Sequence, residues 1–168
     1  MIFIYNDYGG THTTSLAAAY HLKKLPTDRK LTKDEIVNVD YFNKLTKHDL
    51  GKLIFHGIDE EGNKVYTLGR KNNKYVVPAL KSFIELLQEK YDFNEKVIFS
   101  NTSPTVPIVM SIGGFFSRGI NMEFVGNPLL ILGAKQCCNR INSLVEQTKK
   151  ESIARASKLI VLDNKAFK

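Results

Sequence analysis

Short apolar runs alternate with helix-forming segments along most of the chain. Residues 2–5 (IFIY) form a β-branched and aromatic run that is typical of a buried strand, and residues 97–99 and 129–132 repeat this pattern. After the first run, a Gly-Gly turn leads into an alanine-rich segment, which predicts a helix from Thr11 or His12 to about residue 24. Apolar spacing predicts further helices over residues 76–90, 104–118 and 134–150.

Weaker signals fill the gaps between these elements. Thr32 and Glu35 have the spacing of a capping box at the start of a short helix. Residues 52–58 and 64–68 flank a loop that contains glycine, and this arrangement predicts an antiparallel hairpin. Short turns are predicted over residues 40–50 and a short strand over residues 121–125.

Strands that alternate with helices favour a parallel sheet, because parallel strands need crossover connections. The predicted fold is a three-layer α/β/α sandwich with a mostly parallel sheet and one β-hairpin. Residues 1–150 are predicted to form a single α/β domain. Residues 151–168 are predicted to be a C-terminal extension, either an edge strand around residues 159–162 or a flexible tail.

The composition is that of a globular protein and excludes fibrous and disordered classes. Of 168 residues, 43% are hydrophobic and 24% are charged, and the net charge is +7. The basic residues lie in short runs and form no single stripe, so solvated surfaces are favoured over a nucleic-acid groove. Attraction for a small anion, such as a nucleotide or sugar phosphate, is compatible with this charge.

Apolar length and cysteine content predict a cytoplasmic protein without a membrane span. The longest nearly apolar stretch, residues 106–116, falls well short of the ~20 residues that cross a bilayer. Residues 1–6 are apolar, but Asp7 ends the run and no basic segment precedes it, unlike a signal peptide. The two cysteines, Cys137 and Cys138, are adjacent and give no disulfide framework. Two buried thiols are favoured over a vicinal disulfide or a metal site.

The sharpest candidate for chemistry is the loop between the first strand and the first helix. Glycines there let the backbone turn tightly, and the free amides at the helix start favour a phosphate or carboxylate. The loop has neither the GxxxxGK[ST] nor the GxGxxG pattern, so a tight turn before an ordinary capped helix is the alternative. The predicted ligand-binding residues are Gly9, Gly10, Thr11, His12, Thr13, Thr14 and Ser15.

Two residues of this region are candidates for catalysis. His12 would lie in the first turn of the helix, where the dipole favours the neutral ring and a bound phosphate favours the charged one. It is therefore the candidate for proton transfer. Asp7 is the candidate for orienting the histidine or contacting a metal.

A second polar loop follows the strand over residues 97–99. Ligands of parallel α/β sheets bind beyond the carboxyl ends of the strands, so this loop shares a crevice with the first if the two strands are neighbours. The alternative is helix capping alone. The residues added to the predicted site are Asn101, Thr102 and Ser103.

The remaining polar residues give weaker signals. No histidine or cysteine set has metal-ligand spacing, so no metal site is predicted. His56 and Asp59 close a strand that enters a hairpin, which argues against a magnesium role for Asp59. His21 is interpreted as a surface or packing residue. Gly113 and Gly114 suggest that their helix packs closely on the sheet.

The chain also resembles a known bacterial family. The segments that carry the resemblance are MIFIYNDYGGTHTTSLAAAYHLKKLP, GKLIFHGIDEEGNKVYTLGR, VVPALKSFIELL and SIGGFFSR. They are similar to domain of unknown function 3189, a family frequent in spore-forming bacteria, and the resemblance covers roughly residues 1–150. It implies an α/β fold and a cytoplasmic location. The family has no established activity, so the resemblance implies no function.

The sequence therefore predicts a protein that binds a nucleotide or other phosphorylated small molecule at the Gly-Gly-Thr-His loop. Binding alone and binding followed by transfer or hydrolysis are both compatible with these residues. The alternative is a non-catalytic regulatory or scaffold protein, linked to sporulation by the family's distribution, whose glycine loop is only a turn.

Overall fold

A five-stranded sheet forms the middle of the protein. The structure, a computed structural model, describes residues 1–120 and 122–168. Its strands are β1 (Ile2–Asp7), β2 (Leu53–Ile58), β3 (Lys64–Gly69), β4 (Val97–Asn101) and β5 (Leu159–Leu162). Four strands run parallel to one another, and the edge strand β2 runs antiparallel to β3, with the order β2-β3-β1-β4-β5. The predicted hairpin and the central position of the first strand are confirmed.

In the described part of the chain, five α-helices connect and flank these strands. The first begins two residues later than Thr11, and the short second helix carries the predicted capping box between Thr32 and Glu35. A π-helical segment, Phe115–Gly119, follows the fourth helix. The α-helices are α1 (Thr13–His21), α2 (Lys33–Val37), α3 (Val76–Lys90), α4 (Ile108–Gly114) and α5 (Glu123–Ala154), and 3-10 turns span Lys47–Asp49, Ser103–Thr105 and Lys165–Phe167.

The two faces of the sheet are covered unequally. Alternate side chains of β1, Phe3 and Tyr5, pack with α1 and α5 in the main core. The intervening Ile4 packs in a smaller cluster with α3 on the other face. Helices on both faces make the predicted three-layer α/β/α sandwich. Within the described ranges, no helix combines the length and apolar character needed to cross a bilayer.

The strand predicted over residues 129–132 is wrong, because these residues lie inside α5. A short apolar run has no period of its own and fits a buried strand or a buried helix equally well. Pro128 and the flanking glycines also lower the helical signal, yet the structure places them within the helix. The short strand predicted over residues 121–125 is wrong for residues 122–125, since α5 begins at Glu123; Asn121 lies outside the described residues.

Glycines bring α4 against α5, and the prediction that Gly113 packs its helix on the sheet is wrong. A Cβ on Gly113 would lie 2.9 Å from the Leu130 nitrogen of α5. On the α5 side, a Cβ on Gly126 would lie 2.6 Å from Ser117 Cβ. The missing side chains therefore let the π-helical segment and α5 approach closely.

The C-terminal residues add an edge strand. The helix α5 continues to Ala154, and β5 then pairs in parallel with β4. Beyond β5, the Asn164 side-chain amide donates to Ser100 Oγ at 2.8 Å and to the Asn101 carbonyl at 3.1 Å. Of the two alternatives for residues 159–162, the structure has the edge strand.

His21 is buried, so the surface alternative for it is wrong. The Tyr5 hydroxyl donates to His21 Nδ1 at 2.7 Å, and His21 Nε2 donates to Asp59 Oδ2 at 3.0 Å. Burial and the nearby Lys149 charge lower the pKa of His21 to about 4, against the raising effect of Asp59. The neutral ring therefore ties α1 to β1 and to the hairpin loop.

His56 is a second buried neutral histidine. Its Nε2 lies 3.0 Å from Thr67 Oγ1, and burial lowers its pKa to about 4. Between pH 7 and pH 4 we expect the free energy of unfolding to fall, because the unfolded chain takes up protons near pH 6.5 and the folded chain does not. The stability is fully present above about pH 6.5 and is lost as the pH falls toward 4, at most about 3 kcal/mol per histidine. Urea unfolding across this pH range measures the effect.

Two variants separate this effect from general acid sensitivity. His56→Gln should weaken the pH dependence by about half, because His21 remains, whereas His48→Gln, at an exposed position, should leave it unchanged. A wild-type profile that is flat between pH 7 and pH 4 would contradict the assignment of two buried neutral histidines.

Candidate functional site at the carboxyl ends of β1, β3 and β4

The two loops predicted to form the site lie side by side. The strands β1 and β4 are parallel neighbours, so their carboxyl ends meet at the same edge of the sheet. Thr13 Oγ1, at the start of α1, lies 3.0 Å from Thr102 Oγ1, which follows β4. The sequence predicts that the two loops lie together on the condition that their strands are neighbours, and the structure meets this condition.

The Asp7 carboxylate holds the first loop together. One of its oxygens accepts from the Gly10 backbone N–H at 2.5 Å, and the other accepts from the Thr13 hydroxyl at 2.7 Å. Both oxygens are thus used within the loop, and among the described residues no hydrogen bond joins Asp7 to the His12 ring. Its structural role is to bend the chain from β1 into α1.

The two loop glycines allow a close approach to β3. Gly10 has φ +70°, and a Cβ on it would lie 2.5 Å from the Gly69 nitrogen. A Cβ on Gly69 would in turn lie 2.7 Å from the Gly9 carbonyl oxygen. The loop therefore packs against the end of β3, and the glycine at position 10 is required by this contact and by the backbone angle.

The first turn of α1 is buried, but several of its hydrogen-bonding groups have no partner among the described residues. Thr13, Thr14 and Ser15 are fully buried, and no side chain caps the helix. Leu16 is the first helical residue whose N–H finds a carbonyl, that of His12. Among the described residues, no acceptor pairs with the three preceding N–H groups, and no partner pairs with the Thr14 or Ser15 hydroxyl. Each such buried group costs about 1–3 kcal/mol.

His12 lies in a polar cluster that joins three distant segments. Its Nε2 donates to Asn43 Oδ1 at 3.2 Å, and the ring packs edge-on against Phe42. The same Asn43 oxygen accepts from Arg118 Nε at 2.9 Å. The Asn43 amide donates to Ser117 Oγ and to Asn127 Oδ1, both at 2.9 Å. We call these residues the His12 cluster: His12, Asn43, Ser117, Arg118 and Asn127.

The backbone conformation of Asn43 and a backbone hydrogen bond fix its position at the centre of the cluster. It has φ 52°, a left-handed conformation that asparagine tolerates, and its N–H donates to the Thr11 carbonyl at 3.1 Å. The Thr11 hydroxyl donates to the Tyr41 carbonyl at 2.6 Å. Ser117 and Arg118 come from the π-helical segment, a distortion that is frequent at functional sites.

The environment of His12 favours a neutral ring. Burial lowers its pKa, with a further lowering by the Arg118 charge, while the hydrogen bond to Asn43 and the Asp7 charge raise it. With Nε2 donating to Asn43, the acceptor nitrogen is Nδ1, which has no partner among the described residues and lies beside Gly114. A neutral Nδ1 is able to accept a proton from a ligand. A catalytic role for His12 and Asp7 stays a prediction.

Arg70, which sequence reasoning did not single out, lies across the ends of three strands. It follows β3, and its guanidinium donates to Asn6 Oδ1 at 2.9 Å and to Asn101 Oδ1 at 3.3 Å. Asn101 Oδ1 also accepts from the Ser103 N–H at 3.0 Å. In the described ranges, neither Arg70 nor Arg118 forms an ion pair with a carboxylate. Their positive charges are therefore not neutralised by direct pairing.

Metal-ligand and thiol chemistry find no support in the structure. Within residues 1–120 and 122–168, no group of three or more histidine, cysteine or acidic residues is placed to hold a metal ion. Asp59 is engaged by His21 and by the Asn63 backbone and side chain. Cys137 and Cys138 are buried free thiols in α5, and burial raises the pKa of Cys137 to about 12.

Fold and site together define a three-layer α/β protein with a glycine loop between its central strand and first helix. The chain belongs to DUF3189, a family described as "Protein of unknown function", whose model matches residues 2–150. This confirms the resemblance seen in the sequence. No curated protein and no solved structure matches the chain significantly.

The close packing of the loop against β3 leaves no room for a side chain at Gly10. A Cβ there would overlap backbone atoms of Gly69. We expect Gly10→Ala to lower the free energy of unfolding by more than the about 1–2 kcal/mol of a left-handed backbone angle.

Gly62→Ala is the matched control, because Gly62 has a similar φ of +79° and a Cβ there would meet nothing within 4 Å. The difference between the two variants in urea unfolding measures the close approach of the loop to β3. Equal losses of stability would show that the loop does not pack against Gly69.

Proposed function

We propose that the protein binds a phosphorylated small molecule, such as a nucleotide, at the loop Gly9–Ser15 and the adjoining ends of β3 and β4. The observation that carries the proposal is the buried first turn of α1. Its N–H groups and the Thr14 and Ser15 hydroxyls lack partners in the described part of the chain. Phosphate oxygens are strong acceptors, and the positive end of the helix dipole favours an anion at this position.

Charge at the same edge supports an anionic ligand. Arg70 is held by two asparagine side chains and Arg118 by Asn43 and the Leu45 carbonyl, so both guanidinium groups are positioned in advance. Arginine suits phosphate because its planar donors match the phosphate oxygens. The Asp7 carboxylate opposes an anion, but it is engaged by Gly10 and Thr13 within the loop.

A regulatory or scaffold protein is the second candidate, and one observation favours it. Large apolar side chains are exposed around α4 and the start of α5, including Ile108, Phe115 and Phe124. Such side chains are typical of an interaction surface when they form a contiguous patch. This candidate predicts that the glycine loop binds no anion.

Thr14→Val tests the proposed site with an isosteric change. Because the Thr14 hydroxyl is buried and has no partner among the described residues, its removal should leave the unliganded protein equally stable or more stable. The affinity for inorganic pyrophosphate, measured by isothermal titration calorimetry, should fall by about 5–10-fold if that hydroxyl donates to the ligand.

Thr148→Val is the matched control, because Thr148 is equally buried but hydrogen-bonded to Ser100 Oγ and the Leu144 carbonyl. It should lower the free energy of unfolding by about 1–3 kcal/mol and leave pyrophosphate affinity unchanged. The absence of any binding of pyrophosphate or nucleotides to the wild-type protein would overturn the proposed function and favour the scaffold alternative.

A further inference from the structure

A groove opens next to the His12 cluster, between the segment from α2 to Lys44 and the first turns of α5. Its volume is about 400 Å³, within the range of small-molecule sites. Phe42, Phe124 and Pro128 contribute apolar and aromatic surface, and Asn43 and Asn127 contribute amides.

The groove and the glycine loop share structural members. Phe42 packs against the His12 ring, with centroids 5.5 Å apart, and also lines the groove. Asn43 accepts from His12 and lines the groove as well. The groove therefore adjoins the surroundings of His12 at these two side chains.

We propose that this groove holds the planar base of a nucleotide whose phosphate binds at the glycine loop. This inference rests on the proposed function and narrows its ligand class from phosphorylated molecules in general to nucleotides. Flat aromatic rings stack on aromatic side chains, and such stacking accepts any base. Phe124, 78% exposed at the groove, offers such a surface.

The polar groups of the groove fit the edge of a base. Asn127 Oδ1 accepts from Asn43, which fixes the orientation of the Asn127 amide and leaves its NH₂ as the donor end. Amide NH₂ groups donate to ring nitrogens and carbonyl oxygens of bases. Lys33, Lys44 and Glu123 also line the groove, so the charged groups of its lining are positive on balance.

Phe124→Ala tests the inference without disturbing the core, because the side chain is exposed. Calorimetric titrations compare adenosine and guanosine monophosphates with ribose 5-phosphate and inorganic phosphate. The wild-type protein should bind at least one nucleotide about tenfold or more tightly than ribose 5-phosphate. Phe124→Ala should remove that preference and leave the affinity for inorganic phosphate unchanged.

Phe83→Ala is the control, since Phe83 is a phenylalanine on α3 that is 56% exposed and lies on the other face of the sheet. It should change neither affinity. If all phosphorylated ligands bind equally, or if Phe124→Ala leaves the nucleotide preference intact, the base site is overturned while the phosphate site stands. If none of these ligands binds the wild-type protein, the proposed function fails and the base site with it.

Discussion

The Asp7 carboxylate sets the geometry on which the candidate site depends. It lies at the end of the central strand and takes the Gly10 N–H and the Thr13 hydroxyl, one on each oxygen. These two bonds turn the chain sharply and place the start of α1 beside the end of β4. The buried first turn, the contact between Thr13 and Thr102 and the approach of Gly10 to β3 all follow from this turn.

The Asp7 carboxylate stabilises the loop, but its negative charge disfavours the proposed anionic ligand. It places a negative charge close to the position where the helix dipole favours an anion. Arg70 and Arg118 carry the opposite charge, and both are held by asparagine side chains rather than by carboxylates. The proposed binding of an anion at the loop therefore involves these two arginines as well as the helix start, and salt should weaken it.

Local sequence signals predicted most of the fold. The first strand, the hairpin, α3 and β4 each have a clear period or turn, and the structure confirms them. The strand predicted over residues 129–132 failed because four apolar residues in a row carry no period. The prediction for Gly113 failed because a glycine in a helix indicates a close approach but does not identify the partner. The partner in the structure is α5.

The glycine loop and the polar loop after β4 could be identified from the sequence because each follows a strand directly. The His12 cluster could not, since Asn43 and Arg118 are far apart in the chain and meet His12 only in the fold. Arg70 was visible only as one of many basic residues. Its significance comes from the adjacent ends of β3, β1 and β4, a feature of tertiary structure.

The central claim is that the unpaired donors at the start of α1 receive an anion, and an NMR titration addresses it most directly. Amide ¹H–¹⁵N spectra of the full chain would be followed during addition of inorganic pyrophosphate. The largest shifts are expected at the amides of Thr13, Thr14 and Ser15. Shifts confined to other parts of the surface, or no shift at these amides at saturating pyrophosphate, would contradict it.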